Sequence, residues 1–352
     1  MTVKKGFKFD IPKVTPEQKQ AEKIASMFVE QLNLFHSQPS PRDSQLELYL
    51  HQSYADVLRR TASQGFSLPD KPYFSPSSSG SCPRELYLKI KGEERDSVEV
   101  SPHQTRWQHI GTKIGDMIQE QVLLMERNLE NLTQVKPKFK FVRNNHSEPL
   151  FEEFAYTKKL INNRFYLMGT TDGIMYFQDT ESSQVIKVGL EVKSKQTSYS
   201  QTGGYSMKEA NPKHKLQTVA YSIMYDVDYW IIVYVNGSKK SWNMSEEDFI
   251  KYPDVRAFGH YVTQEMKTDL LNKFNNIMDA VDNNTPPKLE LENWTFNNYK
   301  KACALDLSQE EFVELVEEGI KIVKSNLPAY IRNSVEDAIM FIDKEREGNL
   351  CK

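Results

Sequence analysis

Asp172, Glu191 and Lys193 are the residues whose types and spacing could do chemistry. Asp172 lies in Gly169-Thr170-Thr171-Asp172-Gly173, and the other two lie in Gly189-Leu190-Glu191-Val192-Lys193. Residues 185–193 read as a strand with alternating faces. Ile186, Val188, Leu190 and Val192 point one way, and Lys187, Gly189, Glu191 and Lys193 the other. On a strand, Glu191 and Lys193 share a face about 6.6 Å apart. A carboxylate there can hold Mg²⁺ or Mn²⁺ while the ammonium reaches an attacking water or a phosphate. The Val192 backbone carbonyl offers a further hard oxygen. Asp172, at the start of the preceding hairpin strand, can approach the same ion. Gly169, Gly173 and Gly189 are expected to leave room for a phosphate. This set suits phosphodiester hydrolysis, which needs an activated water and stabilisation of a highly charged phosphate.

The motif is short, and two other Glu-x-Lys triplets exist, at Glu17 and Glu265, both in helical stretches. Only the Glu191 copy sets its polar pair opposite an apolar face. Lys213, Gln217 and Tyr221, spaced by four, share one side of the following helix. An ordinary amphipathic helix would also place them so, because Leu216, Val219, Ala220 and Met224 supply a buried stripe.

The surrounding elements follow from local signals. Thr15 caps a helix with Pro16 in its first turn, and Ile24, Met27, Phe28, Leu32 and Phe35 recur at helical spacing. A second helix is expected over 44–63, then a Pro/Ser-rich connector over 69–81. Ser81 is expected to cap a short helix that Gly92 ends, and a longer helix spans 104–129. Strands are expected at 139–142, 151–157, 165–168, 173–177 and 185–193. A polar loop over 194–212 leads to a helix at 213–225, a buried strand at 229–236 and a hairpin through Gly237. The remainder reads as mostly helical, with an acidic solvated face around Glu310, Glu314 and Glu318. The expected division is a helical N-terminal extension (1–70), an α/β core (71–305) and a helical C-terminal extension (306–352).

The formal net charge is −3, so a nucleic-acid partner would need a local basic groove rather than a global field. Lys187, Lys193, Lys195, Lys208, Lys213 and Lys215 supply one candidate cluster, and Lys136, Lys138, Lys140 and Arg143 another. Tyr199 and Tyr205 in the polar loop could stack on unpaired bases, or the loop could simply solubilise. Three cysteines are too few for a disulfide scaffold, which points to a reducing cytoplasm. Residues 1–10 lack the apolar run of a signal peptide, and the longest apolar run, 230–235, is too short to span a bilayer.

Asp, then Glu-x-Lys, then Gln-x-x-x-Tyr resembles the PD-(D/E)xK nuclease superfamily, and more narrowly its RecB-like branch. That branch includes the CRISPR-associated RecB-type exonucleases and phage recombination exonucleases. The resemblance spans about residues 75–303. It implies a restriction-endonuclease-like α/β core with a mixed central sheet flanked by helices, acting as a metal-dependent deoxyribonuclease on DNA ends, with a recombination or replication protein as a possible partner. Asp172 and Glu191 would be metal ligands and Lys193 the catalytic lysine, while Gln217 and Tyr221 would brace the site and touch DNA. Lys213, Lys195, Arg84 and Tyr87 would assist binding.

Two departures from the family pattern stand out. The family helix carries Gly-x-x-x-His with a metal-binding His, but here Gly111 is followed by Gly115. Asp116 or Glu120 could substitute, or water and DNA could hold a second ion; His109 would lie on another side of the helix. Iron–sulfur members place cluster cysteines where Cys82 and Cys303 stand, but the two intermediate positions hold Trp294 and Asn297. With only Cys351 besides, no four-thiolate cluster is expected. Either Trp294 closes the same join by packing, or Cys82 and Cys303 are unrelated buried thiols. A nuclease-fold module that binds without cutting, and a structure-specific endonuclease, remain the alternatives.

Overall fold

A computed structural model describes residues 14–64, 69–97, 99–179 and 184–350, apart from the side chains of 64, 349 and 350. The expectations for residues 1–10 and Cys351 lie outside the described residues. Thr15 caps helix α1 (Pro16–His36) by accepting from the Gln18 amide. Helices α2 (Ser44–Gln64), α3 (Pro83–Lys91) and α4 (Pro102–Thr133) follow. Cys82, not Ser81, holds the N-cap position of α3 and makes no side-chain capping bond. Gly92 ends α3 at φ 85°, the left-handed conformation that glycine adopts without a Cβ clash.

A five-stranded sheet carries the chemistry-bearing segments. Its order is β2 (Phe139–Phe141), β5 (Gly173–Gln178), β6 (Val185–Lys195), β7 (Tyr229–Asn236) and β8 (Val255–Tyr261). All neighbours are antiparallel except β6 and β7, which run parallel with Glu191 beside Ile232. The parallel pair needs a crossover, and helix α5 (Pro212–Tyr225) supplies it. A smaller mixed sheet has the order β1 (Tyr73–Phe74), β4 (Phe165–Gly169), β3 (Thr157–Ile161). The protein is thus a mixed α/β fold with two mixed sheets flanked by helices.

The alternation read from β6 is observed. Val188 and Leu190 are buried with Ile231 and Val233 under α1 and α4, where Ile24, Phe28, Ile118 and Val122 complete one core. The opposite face packs against α5, where Tyr221, Val219 and Trp230 join a second core with Ile174, Leu167 and Phe74. Helix α7 (Gln264–Asp282) adds Phe274, whose ring stacks on Phe74 at 4.2 Å. Helix α6 (Glu246–Lys251) lies between β7 and β8, so the pair is a wide connection rather than a tight hairpin through Gly237. Helices α8 (Lys300–Asp306), α9 (Gln309–Val323) and α10 (Ala329–Leu350) close the second core through Cys303, Leu315, Val335 and Ile342.

The segment expected as a strand at 151–157 is a 3-10 turn, Glu152–Phe154, that leads into β3. Phe151 and Phe154 are both buried at a spacing of three, which suits a 3-10 turn rather than a strand. Phe154 stacks on Tyr54 of α2, with ring centroids 5.4 Å apart.

Candidate active site

Strand β5 begins at Gly173, opposite Leu190, which marks one end of its pairing with β6. Beyond that end, β6 has lost its antiparallel neighbour, and Asp172 fills the vacated edge. Its Oδ2 accepts the Val192 backbone N–H at 2.5 Å, and the Val192 carbonyl faces the same edge. Thr171 Oγ donates to the Leu190 carbonyl at 3.2 Å, which fixes the approach of the Asp172 segment. Asp172 and Glu191 are therefore brought together by the end of a hairpin.

Glu191 is 1% exposed, and neither of its carboxylate oxygens receives a well-oriented hydrogen bond. The Lys193 ammonium lies against Glu191 Oε1 as an ion pair. The same ammonium donates to Gln217 Oε1 at 3.1 Å, and Gln217 Nε2 donates to the Tyr221 hydroxyl at 3.2 Å. Tyr221 is 5% exposed and stacks on Trp230 at 5.5 Å. A relay from Trp230 through Tyr221 and Gln217 thus aims Lys193 at Glu191. Burial, and then the Glu191 charge, hold the Asp172 carboxyl well above its ordinary range. Burial likewise raises Glu191, against the opposing pull of Lys193. Two neighbouring carboxylates, Glu191 buried and Asp172 half-buried, share one adjacent ammonium in a site of low polarity.

A third acid belongs to this field, and it was not singled out from the sequence. Glu152, in the 3-10 turn, raises both Asp172 and Glu191. Burial and then Asp116 raise Glu152 in turn, while Lys193 lowers it. Two adjacent acids between buried phenylalanines were the available signal, and it was absorbed into the expected strand. On α4, Asp116 Oδ2 accepts from Lys113 at 2.7 Å, while its Oδ1 is buried without a partner. Glu120 is exposed and lies by His51 and Leu46 in a separate pocket. Of the two helical carboxylates, Asp116 is the one turned towards Glu152. His109 is exposed on the projecting half of α4.

The fit to a divalent cation rests on the unpartnered Glu191 Oε2, the Asp172 carboxylate and the Val192 carbonyl. All are hard oxygen donors of the kind Mg²⁺ and Mn²⁺ take. Among the described residues, no three His, Cys, Asp or Glu side chains converge closely enough to hold an ion together. Asp172, Glu191 and the Val192 carbonyl would be the holding set.

Other expected residues are placed differently. The glycines make room for protein rather than phosphate. A Cβ on Gly189 would lie 2.3 Å from the Trp230 ring, one on Gly173 2.6 Å from Phe141, and one on Gly169 3.0 Å from Pro76. Arg84 is fully buried and cannot touch DNA. It donates to Asp306 Oδ2 at 2.9 Å and to Glu311 Oε1 at 2.8 Å, and so ties α3 to α9. Tyr87 is equally buried, and its hydroxyl lies 3.4 Å from Asn284 Oδ1. Tyr221 braces the site but is too enclosed to reach DNA.

Lys193, Lys195, Lys213 and Gln217 do line one cleft of about 830 Å³. Lys187 is turned away and donates to the Tyr225 carbonyl at 2.9 Å. Arg143, of the second basic cluster, is paired with Glu126 at 2.9 Å. His214, one helical turn before Gln217, also lines the cleft and was not singled out from the sequence. Its Nδ1 lies 2.8 Å from the Tyr234 hydroxyl, and burial lowers its pKa to about 4.

Cys82 and Cys303 are both buried free thiols in one core with Trp294. Asn297 Nδ2 donates to Cys303 Sγ at 3.4 Å, and the Glu290 amide to Cys82 Sγ at 3.3 Å. Burial raises the Cys303 thiol to about 12. The two thiols therefore share one packed join with Trp294 and Asn297.

No family model matches the chain, and no curated protein does. Among solved structures it is similar to SSO0001, with TM-score 0.37, 10% identity, and coverage of 74% of this chain and 98% of that one. It is also similar to the alkaline exonuclease LHK-Exo from Laribacter hongkongensis, with TM-score 0.36, 9% identity, and coverage of 60% and 89%. A phage-related exonuclease from Haemophilus somnus 129PT aligns with TM-score 0.31, 14% identity, and coverage of 57% and 79%.

Proposed function

We propose that the protein is a Mg²⁺- or Mn²⁺-dependent deoxyribonuclease of the PD-(D/E)xK type, working as an exonuclease at DNA ends in recombination, repair or phage replication. The observation that carries this reading is Glu191: a buried carboxylate beside Asp172, ion-paired through Oε1 to a lysine that a glutamine aims, with Oε2 unpartnered. A structural role alone would leave the second Glu191 oxygen buried without a partner. A bound divalent ion would polarise a phosphate oxygen and make a water acidic at neutral pH. Asp172, held by the Val192 amide, and Glu191 would hold it. Lys193 would orient the water and offset charge on the phosphate, with Gln217 and Tyr221 fixing its direction. Asp116 and Glu152 would set the acidic wall on the far side. The exonuclease form of the reading comes from the motif resemblance.

The test uses end-labelled linear DNA and a circular substrate with Mg²⁺ or Mn²⁺. Cleavage of linear DNA is expected with either ion and none in chelator. Glu191→Gln and Lys193→Ala should each lower it by about 10²-fold or more. A second reading, a DNA-binding module that does not cut, rests on Gly115 standing where the motif resemblance expects a metal-binding His. Binding without cleavage, unchanged by either substitution, would establish that module instead. Cutting of the circular substrate would redirect the assignment to an endonuclease.

A further inference from the structure

The cleft that Lys193 and Gln217 open into is lined largely by cations, hydroxyls and amides. Lys89, Arg95, Lys195 and Lys213 join Lys193, and the serines of the 75–81 loop form one wall. That wall is anchored from behind, because Lys273 donates to the Ser79 and Ser81 carbonyls at 2.9 and 2.8 Å. Glu85 is the single acid lining the cleft, and it is 5% exposed and accepts from the Asn298 amide at 3.1 Å. The accessible charge is therefore positive.

Phe296 also lines the cleft. It closes the 3-10 turn Leu291–Phe296, whose Leu291 and Trp294 are each 4% exposed, yet Phe296 itself is 77% exposed. The buried members of the turn hold an aromatic ring out into a polar cleft on a fixed base. Its recorded ring partner is the Lys213 ammonium, 5.5 Å from the centroid. A phenylalanine so placed contributes nothing to the core. Tyr199 and Tyr205 do not line this cleft; Tyr199 packs edge-on against Tyr252 at 5.2 Å.

We propose that the cleft is a track for one unpaired DNA strand, in which Phe296 is the platform for a stacked base and the lysines take the flanking phosphates. The proposal deepens the nuclease reading and rests on it for the position of the reacting phosphate at Lys193. Two features favour a single strand over a duplex, and a third fits the backbone of either. Base stacking on an aromatic ring needs an open base face, which a paired helix interior hides. A cleft of about 830 Å³ falls in the range of about 300–1,000 Å³ that encloses one drug-sized ligand, the size of one or two nucleotides of one strand. Cations with no base-reading acid among them follow a backbone rather than a sequence.

The experiment measures anisotropy of a labelled single strand and of the blunt duplex of the same sequence, in chelator so that nothing is cut. Phe296 is exposed, so its replacement leaves the fold intact. Phe296→Ala should weaken single-strand binding about 5- to 150-fold, which corresponds to about 1–3 kcal/mol per stacked base at 1.4 kcal/mol per tenfold. Phe296→Trp should retain the affinity, and duplex binding should hardly move. An abasic residue walked along the strand should find one position at which wild type and Phe296→Ala become equal. The track is overturned if Phe296→Ala binds the single strand as wild type does, or if duplex and single strand weaken equally. Cleavage in Mn²⁺ separates the two proposals. Phe296-dependent binding without any cutting sinks the nuclease reading and leaves the track. Cutting with Phe296-independent binding does the reverse.

Discussion

Glu191 concentrates the electrostatic cost of the site. Its folded-state carboxyl is raised by burial, and Asp172 beside it is raised further. The sign follows from linkage: a group raised in the folded state binds its proton more tightly there than in the unfolded chain. Stability from this pair is therefore present below the ordinary carboxyl range and is lost as pH rises through the raised values. The metal-free protein should melt lower at neutral pH than near pH 5, and Glu191→Gln should melt no lower than wild type at neutral pH, because its amide oxygen can still accept from Lys193 while the buried charge is gone. A melting series across pH for both proteins checks this; a Glu191→Gln variant that melts lower at neutral pH contradicts it. Asp172, Glu191, Lys193 and Gln217 were legible because β6 alternates cleanly and α5 is a regular helix. Glu152 and Phe296 were not, because each enters the site from a 3-10 turn, where no periodicity marks which side chains point inward. Arg84 was misplaced for a different reason. The motif resemblance assigns Arg84 to DNA, and its partners Asp306 and Glu311, more than two hundred positions away, instead enclose it.

The elements that position these residues are held by close approaches that a single sequence hides. Gly259 of β8 lies under α1, and a Cβ there would come within 2.0 Å of the Ala21 backbone. Gln18 reinforces the join by donating to the Gly259 carbonyl at 2.8 Å. Helix α1 is thus bolted to the sheet edge as part of the core layer. Backbone cannot yield as a side-chain tip does, so Gly259→Ala should cost about 3 kcal/mol, the upper end of usual overpacking. Chemical denaturation measures it, and an unchanged midpoint would show that α1 is not seated on β8. Strand β8 and the turn at 152–154 were the poorly read elements. The first lies far from its partner β7 in sequence, across α6. The second has aromatic residues that suit a strand by composition but are buried at a spacing of three.

At the scale of the whole molecule, the C-terminal helices are joined to the α/β core by a buried guanidinium. Arg84 is fully enclosed, while Asp306 and Glu311 keep partial contact with water. Removing one side of such a pair costs about 3–5 kcal/mol, and partial hydration of the acids puts Arg84→Ala near the lower figure. DNA affinity at a temperature where the variant is folded should not change, and a selective loss of binding would restore Arg84 to the nucleic-acid surface. Among the described residues, no helix is long and apolar enough to cross a membrane. The central claim is that Asp172 and Glu191 share a divalent ion, and calorimetric titration of Mn²⁺ into the DNA-free protein tests it most directly. Wild type should bind Mn²⁺ and gain thermal stability from it, and Glu191→Gln should lose both responses while remaining folded. Equal Mn²⁺ binding by the two proteins, or none by wild type, would contradict the account.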